Sequence, residues 1–343
     1  MVLESVAFAE SYIPSSIAEP TPEQLCKHSR FLTIRGLSCT ICEFRWYRGN
    51  PMHFRPFIKD ESVFFISLRL KGGFSMKKFF FIGAGSMGEA LIQGWVKKEV
   101  VEPKEIVVSN RSNLDRLNFL RNTYGVEILA NYDELQSAEM IILAMKPKDV
   151  QEAMNVISPY LHPSTSILSI LAGISIETIE QGLGARPIAR AMPNTSATIG
   201  LSATGISFNS LVDTSTKERF LSLLEAVGLV MEVEEDQLHA ITALSGSGPA
   251  YLYYLIEAFE KVGEEFGLPK DVVRALMIQT VAGSAAMLKY VKEEPEALRR
   301  KVTSPGGTTE AGIASLDRMN FTESIAACIR SAEQRSRELA KGL

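Results

Sequence analysis

The chain has 343 residues, 46% hydrophobic and 22% charged, with 36 Lys/Arg against 40 Asp/Glu for a formal net charge of −4. At one domain per ~150 residues, this length predicts two or three domains and a sizeable core, and a net-negative chain without basic blocks excludes a nucleic-acid footprint or a membrane-surface patch. Four cysteines are too few for a secreted disulfide scaffold and four histidines too scattered for a metal cluster, while no apolar run reaches the ~18 to 20 residues of a spanning helix, which leaves a cytoplasmic α/β enzyme without metal.

Residues 1–75 differ from the rest. They carry nine Lys/Arg against seven Asp/Glu, whereas the remainder carries 27 against 33. Cys26, Cys39, Cys42, His28 and His53 fall here, and Pro14, Pro20, Pro22, Pro51 and Pro56 interrupt any helical or strand period. Val63 to Leu70 is a candidate strand without an evident partner. Glu4 and the lack of a compact apolar stretch argue against a secretory signal, and the acidity argues against a transit peptide. Cys39-x-x-Cys42 with Cys26 and His28 has zinc-like spacing; the preferred alternative is chance thiols in a loose tail. Met76-Lys77-Lys78 followed by an apolar strand resembles the start of a cytoplasmic α/β protein. Residues 1–75 are therefore predicted to be a poorly ordered, dispensable extension, such as an over-extended reading frame.

Phe79 to Ile82 reads as a strand buried on both faces. It runs into Gly83-Ala84-Gly85-Ser86-Met87-Gly88 and then a helix over Glu89 to Lys97. This is the G-x-G-x-x-G fingerprint in the strand–turn–helix context that dinucleotide binding requires. Gly83 serves the tight turn, Gly85 the approach of a pyrophosphate, and Gly88 the packing of helix on strand. The helix N-terminus adds free N–H groups and a positive dipole end.

A second strand over Glu105 to Val108 ends in Ser109-Asn110-Arg111-Ser112. An NAD site usually places Asp or Glu about 20 residues after the glycines, on the ribose 2′-hydroxyl. Here the tip carries no carboxylate, and Arg111 with small polar neighbours suits a 2′-phosphate, so NADPH is expected with NADH as the weaker alternative; otherwise Arg111 is a solvated turn residue. Strands over Met140 to Leu143 and Ser166 to Ile170 lead into Ala144-Met145-Lys146-Pro147 and Leu171-Ala172-Gly173. A further element precedes Met192-Pro193-Asn194-Thr195. Strands alternating with helices predict a doubly wound parallel sheet, with ligand beyond the carboxyl ends of its strands.

From about Gln237 the apolar period changes to 3.6. A long helix is expected from Leu238 through Phe259 and another from Pro269 to about Val291, with shorter ones at 295–302, 309–319 and 322–341. Ser245-Gly246-Ser247-Gly248-Pro249-Ala250 interrupts the first, where two glycines and a proline are costly. It is either a kink or loop, or bare backbone that another group approaches closely. Thr303-Ser304-Pro305-Gly306-Gly307-Thr308-Thr309-Glu310 delivers two threonines to a helix start, a place for a carboxylate or for a simple N-cap.

These motifs together, in this order and spacing from Met76 onward, resemble pyrroline-5-carboxylate reductase, the last enzyme of proline biosynthesis. The resemblance implies an NADP-binding Rossmann domain over 76–236 and an all-helical dimerisation and substrate domain over 237–343. It implies a homodimer through the helical domain, a larger assembly of dimers being open, and neither nucleic-acid nor membrane partners. Cofactor contacts carry over onto Ile82, Gly83, Ala84, Gly85, Ser86, Met87 and Gly88, onto Ser109, Asn110, Arg111 and Ser112, and onto Asn131. They continue through Ala144, Met145, Lys146, Pro147, Leu171, Ala172, Asn194 and Glu235. Ser304, Gly306, Gly307, Thr308 and Thr309 are implied to hold the substrate carboxylate, with the Thr309 hydroxyl at the ring nitrogen as the catalytic group. Lys301 stands where some members carry Asn, so no cofactor role is assigned there.

The implied reaction moves a hydride to the C=N carbon of a cyclic imine, giving proline. An imine protonates readily, so no strong general acid is needed, and catalysis rests on positioning. His239 is expected to be packed and His162 to lie in a surface turn. Two alternatives share the two-domain plan. A β-hydroxyacid dehydrogenase would need a lysine in a Gly-rich motif on the first interdomain helix, and a nucleotide-sensing protein would lack a carboxylate cradle.

Overall fold

A computed structural model describes Ser29–Ile34, Leu37–Cys42 and residues 78–341. In the first unit, residues 1–74, β1 (Ser29–Ile34) pairs antiparallel with β2 (Leu37–Cys42), Leu32 facing Cys39 in register. This hairpin corrects the reading of that stretch as lacking strand structure; Thr, Ile and Phe supply local β propensity. The predicted strand at 63–70 and the Cys26 and His28 positions lie outside the described residues.

The second unit is built on an eight-stranded sheet: β3 (Lys78–Ile82), β4 (Ile106–Ser109), β5 (Glu127–Ile128), β6 (Ala138–Leu143), β7 (Ser166–Ser169), β8 (Ile188–Met192), β9 (Ser202–Phe208) and β10 (Gly228–Glu232). Its spatial order is β10-β9-β8-β7-β6-β3-β4-β5. The strands from β5 to β8 are parallel, as expected of a doubly wound sheet. The sheet is not wholly parallel, however: β9 runs antiparallel to β8, and β10 follows β9 in parallel. The link from β8 to β9 holds only a short 3-10 turn, Thr195–Ile199. That is too little chain for a crossover, so it reverses the strand direction.

Helices α1 (Ser86–Lys97), α2 (Leu114–Tyr124), α3 (Val150–Ile157), α4 (Ile176–Leu183) and α5 (Thr214–Glu225) cover the two faces. Strand periodicity divides β3 between them. Phe79 and Phe81 pack with Trp95 and Phe220 on one side, while Phe80 and Ile82 join Val150, Met154 and Ile179 on the other. The Trp95 indole lies edge-on to Phe79, with ring centroids 5.8 Å apart, and its N–H donates to the Leu223 carbonyl at 2.7 Å.

After β10 the chain is helical: α6 (Leu238–Ile241), α7 (Gly248–Glu265), α8 (Lys270–Val291), α9 (Pro295–Lys301), α10 (Thr308–Arg318) and α11 (Phe321–Lys341). The expected single helix from Leu238 through Phe259 is instead two, joined by a π turn over Thr242–Gly246. Pro249 enters α7 in its first turn, where its missing N–H costs nothing. Helices α7 and α8 form a hairpin in which a Cβ on Gly263 would lie 2.4 Å from Val273. The buried Glu260 carboxylate takes Arg274 through both oxygens, at 2.5 and 3.1 Å, and lies 3.5 Å from Lys270. The Arg274 and Lys270 cations hold that carboxyl below its ordinary range, the Arg274 hydrogen bond having the largest effect.

Helix α8 adds to the composition reading, which concerned unbroken apolar runs alone. It is long and apolar enough to cross a membrane, by length and composition alone. Interspersed Gln279, Thr280 and Ser284 hide this from a search for unbroken apolar runs. His239 is packed as expected, with its Nδ1 2.9 Å from the Ser336 hydroxyl, and His162 sits in a turn beside Ser164.

Candidate functional site

The carboxyl end of β3 meets its neighbours through a ladder of backbone bonds. Gly83 N–H donates to Ser109 O at 3.1 Å, and Ala144 N–H to Ile82 O at 2.9 Å. Gly83 has φ +107°, and a Cβ there would lie 2.5 Å from Met145 N, so only glycine fits this turn. Gly85 begins α1 in extended conformation with no side chain capping the helix, which leaves the first-turn N–H groups for an anion. A Cβ on Gly88 would lie 3.4 Å from Ala144 and 3.7 Å from Phe81, an ordinary contact, so packing of helix on strand does not by itself demand glycine there.

A brace beneath this loop was not foreseen in the sequence. Arg116 on α2 donates through Nε to Ala84 O at 2.8 Å and through Nη2 to Glu89 at 2.5 Å, while Tyr124 donates to the other Glu89 oxygen at 2.8 Å. Burial, then the bond to Glu89, push the Tyr124 phenol up to about 12, so it stays a donor. The signal was weak: an Arg and a Tyr two turns apart on a helix look like ordinary surface residues.

The strand ends gather most of the predicted cofactor residues. Ser109 ends β4 and Asn110 to Ser112 follow it, Asn131 follows β5, Ala144 to Pro147 follow β6, and Leu171 and Ala172 follow β7. Sheet order places β3 between β6 and β4, so the order reverses beside the glycine loop, the usual place for a dinucleotide. Arg111 is exposed, and its Nη1 lies 3.0 Å from Glu152 and 3.5 Å from Asp149.

Asn194 and Glu235 lie where the sheet meets the helices. The Asn194 side chain accepts from Ser196 N–H at 3.1 Å and donates to Ser245 O at 3.0 Å. The π turn thus offers a carbonyl to Asn194, and the bare Ser-Gly-Ser-Gly backbone is approached by another group. Glu235 Oε1 accepts from Ile176 N–H at 2.8 Å and from Arg190 Nη1 at 3.0 Å. Arg190 is 2% exposed, and its Nε and Nη2 meet no acceptor among the described residues.

Gly306 (φ +71°) turns the chain into α10, which Gly307 caps without a side-chain bond. Gly306 N–H donates to Glu310 at 2.7 Å and Gly307 N–H to Ser304 O at 3.0 Å. Of the four N–H groups predicted to hold a carboxylate, two are therefore engaged, and those of Thr308 and Thr309 stand at the open first turn. Ser304, Gly306, Thr308 and Thr309 are exposed in the single chain. Among the described residues no hydrogen bond links this turn to the glycine loop.

Residues 235–339 match the family of pyrroline-5-carboxylate reductase dimerisation domains, and residues 78–173 match that of NADP oxidoreductases, coenzyme F420-dependent. The chain is 44% identical over 266 residues to pyrroline-5-carboxylate reductase 2 of Bacillus subtilis, spanning 77% of this chain and 95% of that one. It is 38% identical to pyrroline-5-carboxylate reductase of Synechocystis over 76% of this chain and 97% of the relative. Among solved structures, the Coxiella burnetii pyrroline-5-carboxylate reductase superposes with a TM-score of 0.72 at 35% identity, over 78% of this chain and 99% of that one. The Plasmodium falciparum pyrroline carboxylate reductase with NADP bound gives 0.69 at 27% identity, over 77% and 98%. Identity of this extent, joined to the glycine loop at 83–88 and the turn at 304–309, places the chain in the pyrroline-5-carboxylate reductase family.

Proposed function

We propose that the protein reduces 1-pyrroline-5-carboxylate to L-proline with NADPH, NADH serving as the weaker donor. Family membership sets aside the dehydrogenase and sensor alternatives. The observation that carries the site assignment is the turn at 304–309, whose two free N–H groups and two hydroxyls stand together at the open end of α10.

The crevice residues fit a dinucleotide. The tight turn that only Gly83 can make, the uncapped start of α1 and the exposed guanidinium at the β4 tip supply the loop, the pyrophosphate donors and the 2′-phosphate donor along one edge. When bound, the nicotinamide supplies the hydride. Ser109 to Ser112 and Asn131 flank the ribose end, and Ala144 to Pro147 with Leu171 and Ala172 line the path toward the ring. Asn194 and Glu235 are assigned as braces of that path, since their polar atoms already have protein partners.

The N–H groups of Thr308 and Thr309, at the positive end of α10, anchor the substrate carboxylate. The Thr309 hydroxyl faces the ring nitrogen and accepts its N–H once the imine is protonated, which orients the C=N carbon. The domains divide at 236/237. The apolar faces of α7 and α8 bury themselves against a second copy in a homodimer, which leaves α8 in a protein interface rather than a bilayer. The soluble dimer works in the cytoplasm; further association of dimers is compatible with this reading.

Thr309→Ala tests it. Removing one such bond costs ~0.5 to 1.5 kcal/mol, more if the partner is charged, so turnover in NADPH oxidation with pyrroline-5-carboxylate should fall roughly tenfold. NADPH affinity should hold, and Thr309→Ser should restore most of the rate. Unchanged turnover in a folded alanine variant would leave the turn as a helix cap only.

A further inference from the structure

The ion pairs at Arg111 cross the nucleotide crevice. Arg111 follows β4, Asp149 and Glu152 open α3 after β6, and β3 with its glycine loop lies between those strands. A guanidinium 3.0 Å from Glu152 and 3.5 Å from Asp149 therefore spans the carboxyl end of β3. We infer that Asp149 and Glu152 set how strongly this chain discriminates 2′-phosphorylated from unphosphorylated dinucleotide. The inference rests on the proposed role of Arg111 as the 2′-phosphate donor.

The discrimination is electrostatic. The side chains of Arg111 and Glu152 are 69% and 64% exposed and that of Asp149 33%, so the pairs are solvated and open readily. A phosphate monoester brings a charge of about −1.5 to −2. To reach Arg111 it must take the guanidinium from two carboxylates and then stand beside them, so each carboxylate weakens its binding. An unphosphorylated ribose brings a neutral hydroxyl, which suffers no such repulsion. That hydroxyl also finds an acceptor in these carboxylates, the group whose absence from the β4 tip argued against NAD. Arg111 thus favours the phosphorylated cofactor while Asp149 and Glu152 favour the plain one, and their balance leaves NADH usable.

Neutral isosteres separate the effects. Calorimetric titration of the whole protein with 2′,5′-ADP and with 5′-AMP reads the discrimination without turnover. In the Asp149→Asn/Glu152→Gln variant the preference for 2′,5′-ADP should rise about fivefold or more, with the gain shrinking at high salt. The NADPH-over-NADH ratio of kcat/KM should rise in step. In Arg111→Ala the preference should collapse. If Arg111→Ala keeps the wild-type preference, the role proposed for Arg111 is wrong. If Arg111→Ala collapses it while the double variant stays within about twofold of wild type, within the usual scatter of surface charge changes, the role of the carboxylates is overturned and that of Arg111 stands.

Discussion

Phe79, Phe80, Phe81 and Trp95 in the nucleotide half are all 1% exposed or less, whereas Tyr254, Phe266 and Tyr290 in the helical half are 75%, 79% and 74% exposed. Helix α8, with 22 residues, buries only Val273. A sheet covered on both faces closes its own core; a helical hairpin with one packed seam does not. Exposed apolar surface on this scale marks an interface. The comparison teaches that one half is complete as a single chain and the other is half of something larger.

The strongest way to break that comparison is to place a charge on the open face. Leu276, on α8, is 59% exposed. Leu276→Asp should cost the dimer ~2 kcal/mol or more, about thirtyfold in its dissociation constant. Sedimentation over a dilution series should then show the dimer dissociating at about thirtyfold higher concentration than wild type. A dimer as stable as wild type would mean that this face is not the interface.

In the other half the large effect should be on folding. Trp95→Ala removes a fully buried indole and its bond to Leu223, and should cost about 3 to 5 kcal/mol. The denaturation midpoint should drop without a specific change in dimer affinity; a change below about 1 kcal/mol would show that this core repacks freely.

The smallest expected effect lies where the halves meet. Burial, then Arg190 and Arg337, hold the His239 imidazole below its ordinary 6.5, against the opposing pull of Asp236 and Glu333. The folded state therefore favours the neutral ring. As pH falls through the unfolded value, the unfolded chain takes a proton that the folded chain refuses, and stability declines until the folded value is passed. Melting temperatures at pH 7.5 and 5.5 should differ more for wild type than for His239→Gln. Equal differences would exclude His239 as the source.

Sequence patterning determined the glycine loop, the strands β3, β4, β6 and β7, the turn at 304–309 and the helical character after Gln237, because each rests on local chemistry: apolar runs, glycines at fixed spacing, a change of period; the two-residue β5 is too short to leave such a pattern. It did not reveal β9, whose Ser-Ala-Thr-Gly stretch lacks an apolar run and becomes a strand by pairing with β8 and β10. Nor did it reveal the Arg116–Glu89–Tyr124 brace, the clasp of Asn194 on the π turn, or the two carboxylates across the crevice from Arg111. Each of these joins residues remote in the chain, and neither spacing nor propensity carries information about such pairs. Only the packing of helices on the sheet decides which polar groups meet and which apolar faces remain open.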